Sequence, residues 1–152
     1  MTSQEAFTPE EWANIMEGPT SAAMAVITAS RGGTFRETLA EAKFFAEARK
    51  HHGASELLDA IVSHKPVSDR ALAHSKEELV TRAVKHLEQA VASINTKATP
   101  QELADYRSFV TSLCAAVAAA HREGDAETSP EESAAIDQIH AAMGIAAQPE
   151  HR

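Results

Sequence analysis

Thr8 to Gly33 reads TPEEWANIMEGPTSAAMAVITASRGG, and ninety-one residues later Thr99 to Gly124 reads TPQELADYRSFVTSLCAAVAAAHREG, aligned without a gap. Eleven of the twenty-six paired positions are identical, including the Thr-Pro-x-Glu opening and the Arg-x-Gly ending. Alanine-rich composition inflates such a match but does not account for its two ends. Self-similarity at a fixed offset is the mark of a repeated structural unit, here a duplicated helical hairpin.

Each opening carries helix-start grammar. In the first copy Thr8 is placed to accept from the N–H of Glu11 while the Glu11 carboxylate reaches back to the N–H of Thr8. Pro9 sits where a missing N–H costs nothing, and Phe7 and Trp12 are spaced as a hydrophobic staple. Gly18-Pro19 then interrupts the pattern, because proline removes one helical hydrogen bond and restricts the residue before it. The expectation is a break or kink there, with a second helix from Pro19 to about Ser30. The second copy has Phe109-Val110 at those positions, so its helix should run straight from Pro100 to about His121.

Beyond the Arg31-Gly32-Gly33 turn, Thr34-x-x-Glu37 repeats the capping box before a helix with Phe35, Leu39, Ala42, Phe45 and Ala46 on one side. Arg49, Lys50, His51 and His52 suit the carbonyl end of its dipole, and Gly53 suits its stop. A short helix follows from about Ser55 to His64, with Leu57, Leu58, Ile61 and Val62 inward and Pro66 beyond it. The next helix begins either at Ser68 or Asp69 or at the box Ser75-x-x-Glu78. Its stripe of Leu79, Val80, Ala83, Val84, Leu87, Ala90, Val91 and Ile94 faces a core, with Arg82, Lys85, Glu88 and Gln89 turned away. Ser129-Pro130-Glu131-Glu132 opens the last helix, where Ile136, Ile139 and Met143 face inward and Gly144 stops it.

No segment alternates as a strand would, so the expected fold is all-α: a compact bundle of six to seven helices with an internally duplicated hairpin. Residues 1–144 form one domain, with copies 8–50 and 99–144 around a middle pair of helices at 54–95, and 145–152 form a flexible tail. A chain of 152 residues can bury roughly 68–70% of the surface its unfolded form exposes.

Fourteen basic and twenty-two acidic residues give a net charge of −8, which repels nucleic-acid phosphates and anionic lipid. Neither is expected as a partner. Cys114 is the sole cysteine, so no internal disulfide or cysteine-rich metal cluster forms, and a cytoplasmic setting fits. The opening MTSQEAFTPEEW lacks a positive region followed by an apolar run, so no secretory signal is expected. The least polar runs, 22–29 and 113–120, fall far short of the ~20 residues a membrane span needs.

Familiar catalytic and nucleotide motifs are absent from the sequence. The eight histidines, at 51, 52, 64, 74, 86, 121, 140 and 151, include no pair at the i, i+4 spacing that lets two ligate one ion. Two stretches nevertheless carry site chemistry. The loop Arg31-Gly32-Gly33-Thr34 with Arg36 combines glycines, a helix N-terminus and two cations, a pattern suited to a small anion or phosphorylated ligand. The acidic turn at Asp125 and Glu127, with Glu131 and Glu132 just beyond, offers oxygens for a hard divalent cation such as calcium, though without EF-hand spacing. That cation is the one cofactor candidate.

The stretch LCAAVAAAHREGDAETSPEESAAIDQIHAAMG, Leu113 to Gly144, resembles the tellurite-resistance TerB family and its TerB-like relatives. In that family an alanine-rich helix leads into an acidic turn and a Ser-x-x-Glu helix start. The resemblance covers about a fifth of the chain and implies an all-helical fold, metal-binding carboxylates and a link to stress or phage defence. Glu132, and with it Asp125 or Glu123, matches carboxylates of the pattern. Where the family shows Ala-Asp-Gly after the first helix, this chain has Ala120-His121-Arg122-Glu123-Gly124, with His or Arg at the Asp position. The first copy carries no carboxylate in its turn, which excludes a symmetric pair of metal sites. The leading functional expectation is a small non-catalytic accessory or protein-interaction protein, binding a protein partner or itself; the metal-binding module and the anion binder are its alternatives.

Overall fold

The structure is a computed structural model that describes residues 4–29, 34–50, 56–62, 76–123 and 130–145. A single 3₁₀ turn at Gln4–Ala6 precedes six α-helices: α1 Pro9–Ala29, α2 Thr34–Lys50, α3 Glu56–Val62, α4 Lys76–Lys97, α5 Pro100–Glu123 and α6 Pro130–Ala142. No strand occurs among the described residues, and the fold is all-α.

The capping boxes that open α1 and α5 form. The N–H of Thr8 donates to Glu11 Oε1 at 2.9 Å and the N–H of Glu11 to Thr8 Oγ1 at 3.1 Å. The same exchange joins Thr99 and Glu102 at 3.1 Å in each direction. The staple closes as well, with the Phe7 and Trp12 rings 6.0 Å apart. At the other end of the chain Gly144 has φ +78°. The Ile145 N–H reaches the His140 carbonyl at 2.9 Å and the Gly144 N–H the Ala141 carbonyl at 3.0 Å. This is the Schellman arrangement. Ile145, placed in the tail by the sequence reading, instead packs against the core.

The break expected at Gly18-Pro19 does not occur. Helix α1 continues from Pro9 to Ala29 with Pro19 inside it, so there is no separate second helix. Two local features allow this. Proline denies the Ile15 carbonyl its usual i+4 donor, and the buried Tyr106 hydroxyl of α5 donates to that carbonyl at 2.9 Å in its place. Glycine at 18 removes the Cβ that a following proline ring would crowd and opens room for the tyrosine: a Cβ there would lie 2.4 Å from the Tyr106 hydroxyl. As expected, α5 runs unbroken, ending at Glu123.

Helix α1 lies at the centre, packed most extensively on α4 and next on α5. The pairs Glu11–Lys97, Asn14–Gln89 and Glu17–His86 run in opposite chain directions, which makes α1 and α4 antiparallel. Helix α2 packs more on α5 than on α1, and α6 more on α4 and α1 than on α5. The two ends of the chain therefore interlock. The α4 stripe faces inward, with Leu79, Ala83, Leu87, Ala90 and Ile94 buried, and α3 buries Leu57, Ile61 and Val62.

Helix α2 corrects the sequence reading. Its inward face is Glu41, Phe44, Phe45 and Ala48, while Ala42 and Ala46 are exposed and Leu39 is 45% exposed. Aromatic packing decides the rotation: Phe44 and Phe45 meet Phe109 edge-on, with ring centroids 5.3 and 5.6 Å apart. Arg49 also departs from expectation, since its Nε caps the Val62 carbonyl at the end of α3, at 2.6 Å. Arg107 does the same beyond α6, donating from Nε to the Met143 carbonyl at 2.7 Å.

Candidate functional site

Of the residues singled out for metal, Asp125 and Glu127 lie outside the described residues. Glu131 and Glu132 fall in the first turn of α6, with their side chains outside the description. The anion-binding group divides in the same way. Arg31, Gly32 and Gly33 lie outside the described residues, and Thr34 and Arg36 belong to the first turn of α2, with their side chains outside it. Among the described residues no three His, Cys, Asp or Glu side chains gather as a metal site would require.

What the structure does assemble is a groove of ≈ 940 Å³ between α1 and α4. Thr8, Glu10, Glu11, Ala13 and Asn14 line it from α1, and Arg82, Lys85, His86, Gln89, Ala92 and Ser93 from α4. On α4 the positions 82, 86, 89 and 93 recur at helical spacing beside the buried stripe, so a one-residue step, about 100° of rotation, separates core from groove. Small side chains at Ala13, Ala92 and Ser93 keep the trench open. Glu10 and Glu11 make the end near Lys97 acidic, and Arg82 and Lys85 make the end beyond His86 basic.

The groove is braced from wall to wall by a chain of polar side chains. Nε2 of His86 lies 3.1 Å from Glu17 Oε1, and Nδ1 lies 2.9 Å from Asn14 Oδ1. The Asn14 amide in turn donates from Nδ2 to Gln89 Oε1 at 2.8 Å. With the amide held that way round, Asn14 presents an acceptor to the imidazole, and Glu17 presents another. At the groove's end Lys97 pairs with Glu11. This contact, followed by the Thr8 N–H, holds the Glu11 carboxyl below its ordinary value.

A histidine beside a carboxylate at the edge of a groove invites a catalytic reading. The geometry speaks against it here, because both ring nitrogens are engaged by α1 and neither is turned to a substrate. The group joins two helices.

The sequence reading passes over this group. There His86 counts only as one of eight histidines without an i, i+4 partner, and Gln89 only as a residue turned from the stripe. The available signal is a polar line on α4 at 82, 86, 89 and 93 with Asn14 and Glu17 three apart on α1. Nothing local pairs those two lines.

The Cys114 thiol and the Tyr106 phenol are buried core groups. Glu41 is 8% exposed, and its charge adds to burial in pushing the Cys114 thiol up to about 12. Cys114 is thus an inert core residue. Burial alone drives the Tyr106 phenol far above its ordinary value, so the hydroxyl stays a donor.

No protein-family model matches the chain, and no match to it was found among curated proteins or solved structures. No helix among the described residues is long and apolar enough to cross a membrane.

Proposed function

We propose that the chain is a small non-catalytic interaction protein, and that its α1–α4 groove receives a charged segment of a protein partner. The observation that carries this reading is a trench that is acidic toward one end, at Glu10 and Glu11, and basic toward the other, at Arg82 and Lys85, with the Asn14–His86 brace between them. A segment bearing opposite charges toward its two ends would satisfy both ends of the trench at once, whereas a simple anion or cation would engage only one. The wall-to-wall brace supports the same reading, because a groove held in shape before binding loses less on ordering. The Leu39 side chain is the one large exposed hydrophobic among the described residues, which favours polar over apolar recognition.

The test is selection of random displayed peptides on the purified protein, followed by affinity measurement on Lys85→Glu and Glu10→Lys variants. Recovered peptides should carry acidic and basic residues together. Each charge reversal should weaken them about tenfold, about 1.4 kcal/mol, and peptides with the matching charge reversed should regain the loss. Peptides that bind all variants alike would place recognition elsewhere and overturn the groove assignment.

A further inference from the structure

We infer that the protonation state of His86 sets the arrangement of the groove's floor. The inference rests on the groove being the binding site, and it concerns how that site is regulated. Histidine is the side chain whose charge ordinarily changes between pH 5 and 8. In the arrangement on α1 and α4 both ring nitrogens face oxygen acceptors, Glu17 Oε1 at 3.1 Å and Asn14 Oδ1 at 2.9 Å. Only the doubly protonated imidazolium donates to both.

Loss of one proton to solvent cannot be shared equally. The nitrogen facing the Glu17 carboxylate keeps its proton, since a bare lone pair there would oppose a negative charge. Nδ1 is therefore the atom that loses it, and its lone pair then confronts the Asn14 oxygen. The contact is restored when the Asn14 amide turns over and donates from Nδ2 to Nδ1. That turn brings Asn14 Oδ1 against Gln89 Oε1, which now lacks the donor it had at 2.8 Å. Gln89 must turn over as well and offer its own NH₂.

One proton thus reverses two amides in sequence, and the lining changes its pattern of donors and acceptors without a backbone movement. The other charged groups around the imidazole are Glu10 and Glu11 on α1 and Arg82 and Lys85 on α4. Glu10 and Glu11 lie further along α1 beyond Asn14, with Glu11 already paired to Lys97, and Arg82 and Lys85 lie on the imidazole's own helix, so the direct bonds to Glu17 and Asn14 dominate.

The experiment is an NMR titration of the unliganded full-length protein from pH 5 to 8.5, following the His86 ring nitrogens and the side-chain NH₂ groups of Asn14 and Gln89. Both amide pairs should shift with the same midpoint as the imidazole, and the neutral form should carry its proton on Nε2. In Asn14→Leu the imidazole should still titrate while the Gln89 amide no longer follows it. Amides that stay still while the ring titrates, a neutral form protonated on Nδ1, or a ring in a single state across the range would each overturn the inference. The wild-type titration stands by itself if the variant does not fold. Because no peptide is present, failure here leaves the peptide selection untouched, and failure of the selection leaves the titration to be read.

Discussion

Helices α1 and α5 open with the same capping box and align residue for residue at an offset of ninety-one, yet at one level they differ as much as side chains can. Gly18-Pro19 on α1 stands where α5 has Phe109-Val110. Both choices serve neighbours rather than the helix that carries them. The glycine makes space for Tyr106 and the proline frees the carbonyl that Tyr106 binds, while Phe109 fills the space between α5 and the Phe44–Phe45 pair of α2. Tyr106 is itself the α5 residue aligned with Ile15, so the hydrogen bond joins corresponding positions. Two similar helices are fitted to different places in a bundle by a few residues of extreme size.

The comparison breaks most visibly at its large member. Phe109→Ala should cost about 3–5 kcal/mol, since the ring is 8% exposed and engages two aromatic partners; denaturant unfolding measures it. A loss below about 1 kcal/mol would mean that α2 closes onto the vacancy. Gly18→Ala comes next, although alanine is the better helix former. Its Cβ would lie 2.4 Å from the Tyr106 hydroxyl and 2.9 Å from Leu87 Cδ2, and both side chains are fully buried. Overpacking of this kind costs about 1–3 kcal/mol, and any shift of the phenol strands the Ile15 carbonyl. A Gly18→Ala variant as stable as the parent would show that α5 can slide away.

Tyr106→Phe isolates the hydrogen bond itself. Removing the hydroxyl leaves the Ile15 carbonyl without its donor, at a cost of about 1–3 kcal/mol. The comparison sharpens in a double-mutant cycle with Pro19→Ala, which restores an N–H at position 19 to that carbonyl. In the Pro19→Ala background the tyrosine substitution should cost markedly less, giving a coupling within the range of about 0.5–3 kcal/mol found for contacting residues. Strict additivity would mean that the proline and the tyrosine act independently.

The two features that mislead sequence reading share a cause. Gly18-Pro19 is a break signal by every local rule, and what keeps the helix whole is a hydroxyl ninety-one residues from the carbonyl it serves. Leu39, Ala42 and Ala46 are apolar at plausible spacing, but Phe44 and Phe45 command more surface and turn α2 to face Phe109. The capping boxes, the staple, the α4 stripe and the Gly144 stop were legible because each is a pattern within a few residues of one helix. The groove was not, because Asn14, Glu17, His86 and Gln89 gain meaning only once α1 and α4 lie antiparallel.

The smallest effect concerns the two caps, alike in sequence and unlike in setting. Glu102 is 6% exposed, whereas Glu11 stands at the groove mouth and carries Lys97 as well as Thr8. Thr8→Ala and Thr99→Ala should each cost about 0.5–2 kcal/mol, with the cap at Thr99, whose partner Glu102 is buried, the more costly. Acid separates the contributions at the exposed one. Lys97 first and the Thr8 N–H second hold the Glu11 carboxyl below 4.5. A depressed value in the folded state means a contribution to stability that is complete above the unfolded value and disappears as pH falls through the folded one. In Lys97→Met that disappearance should move to higher pH, read as the midpoint of the Glu11 carboxyl resonance. A midpoint unchanged by the substitution would assign the depression to the capping box alone, and would make the two helix starts alike in chemistry as well as in sequence.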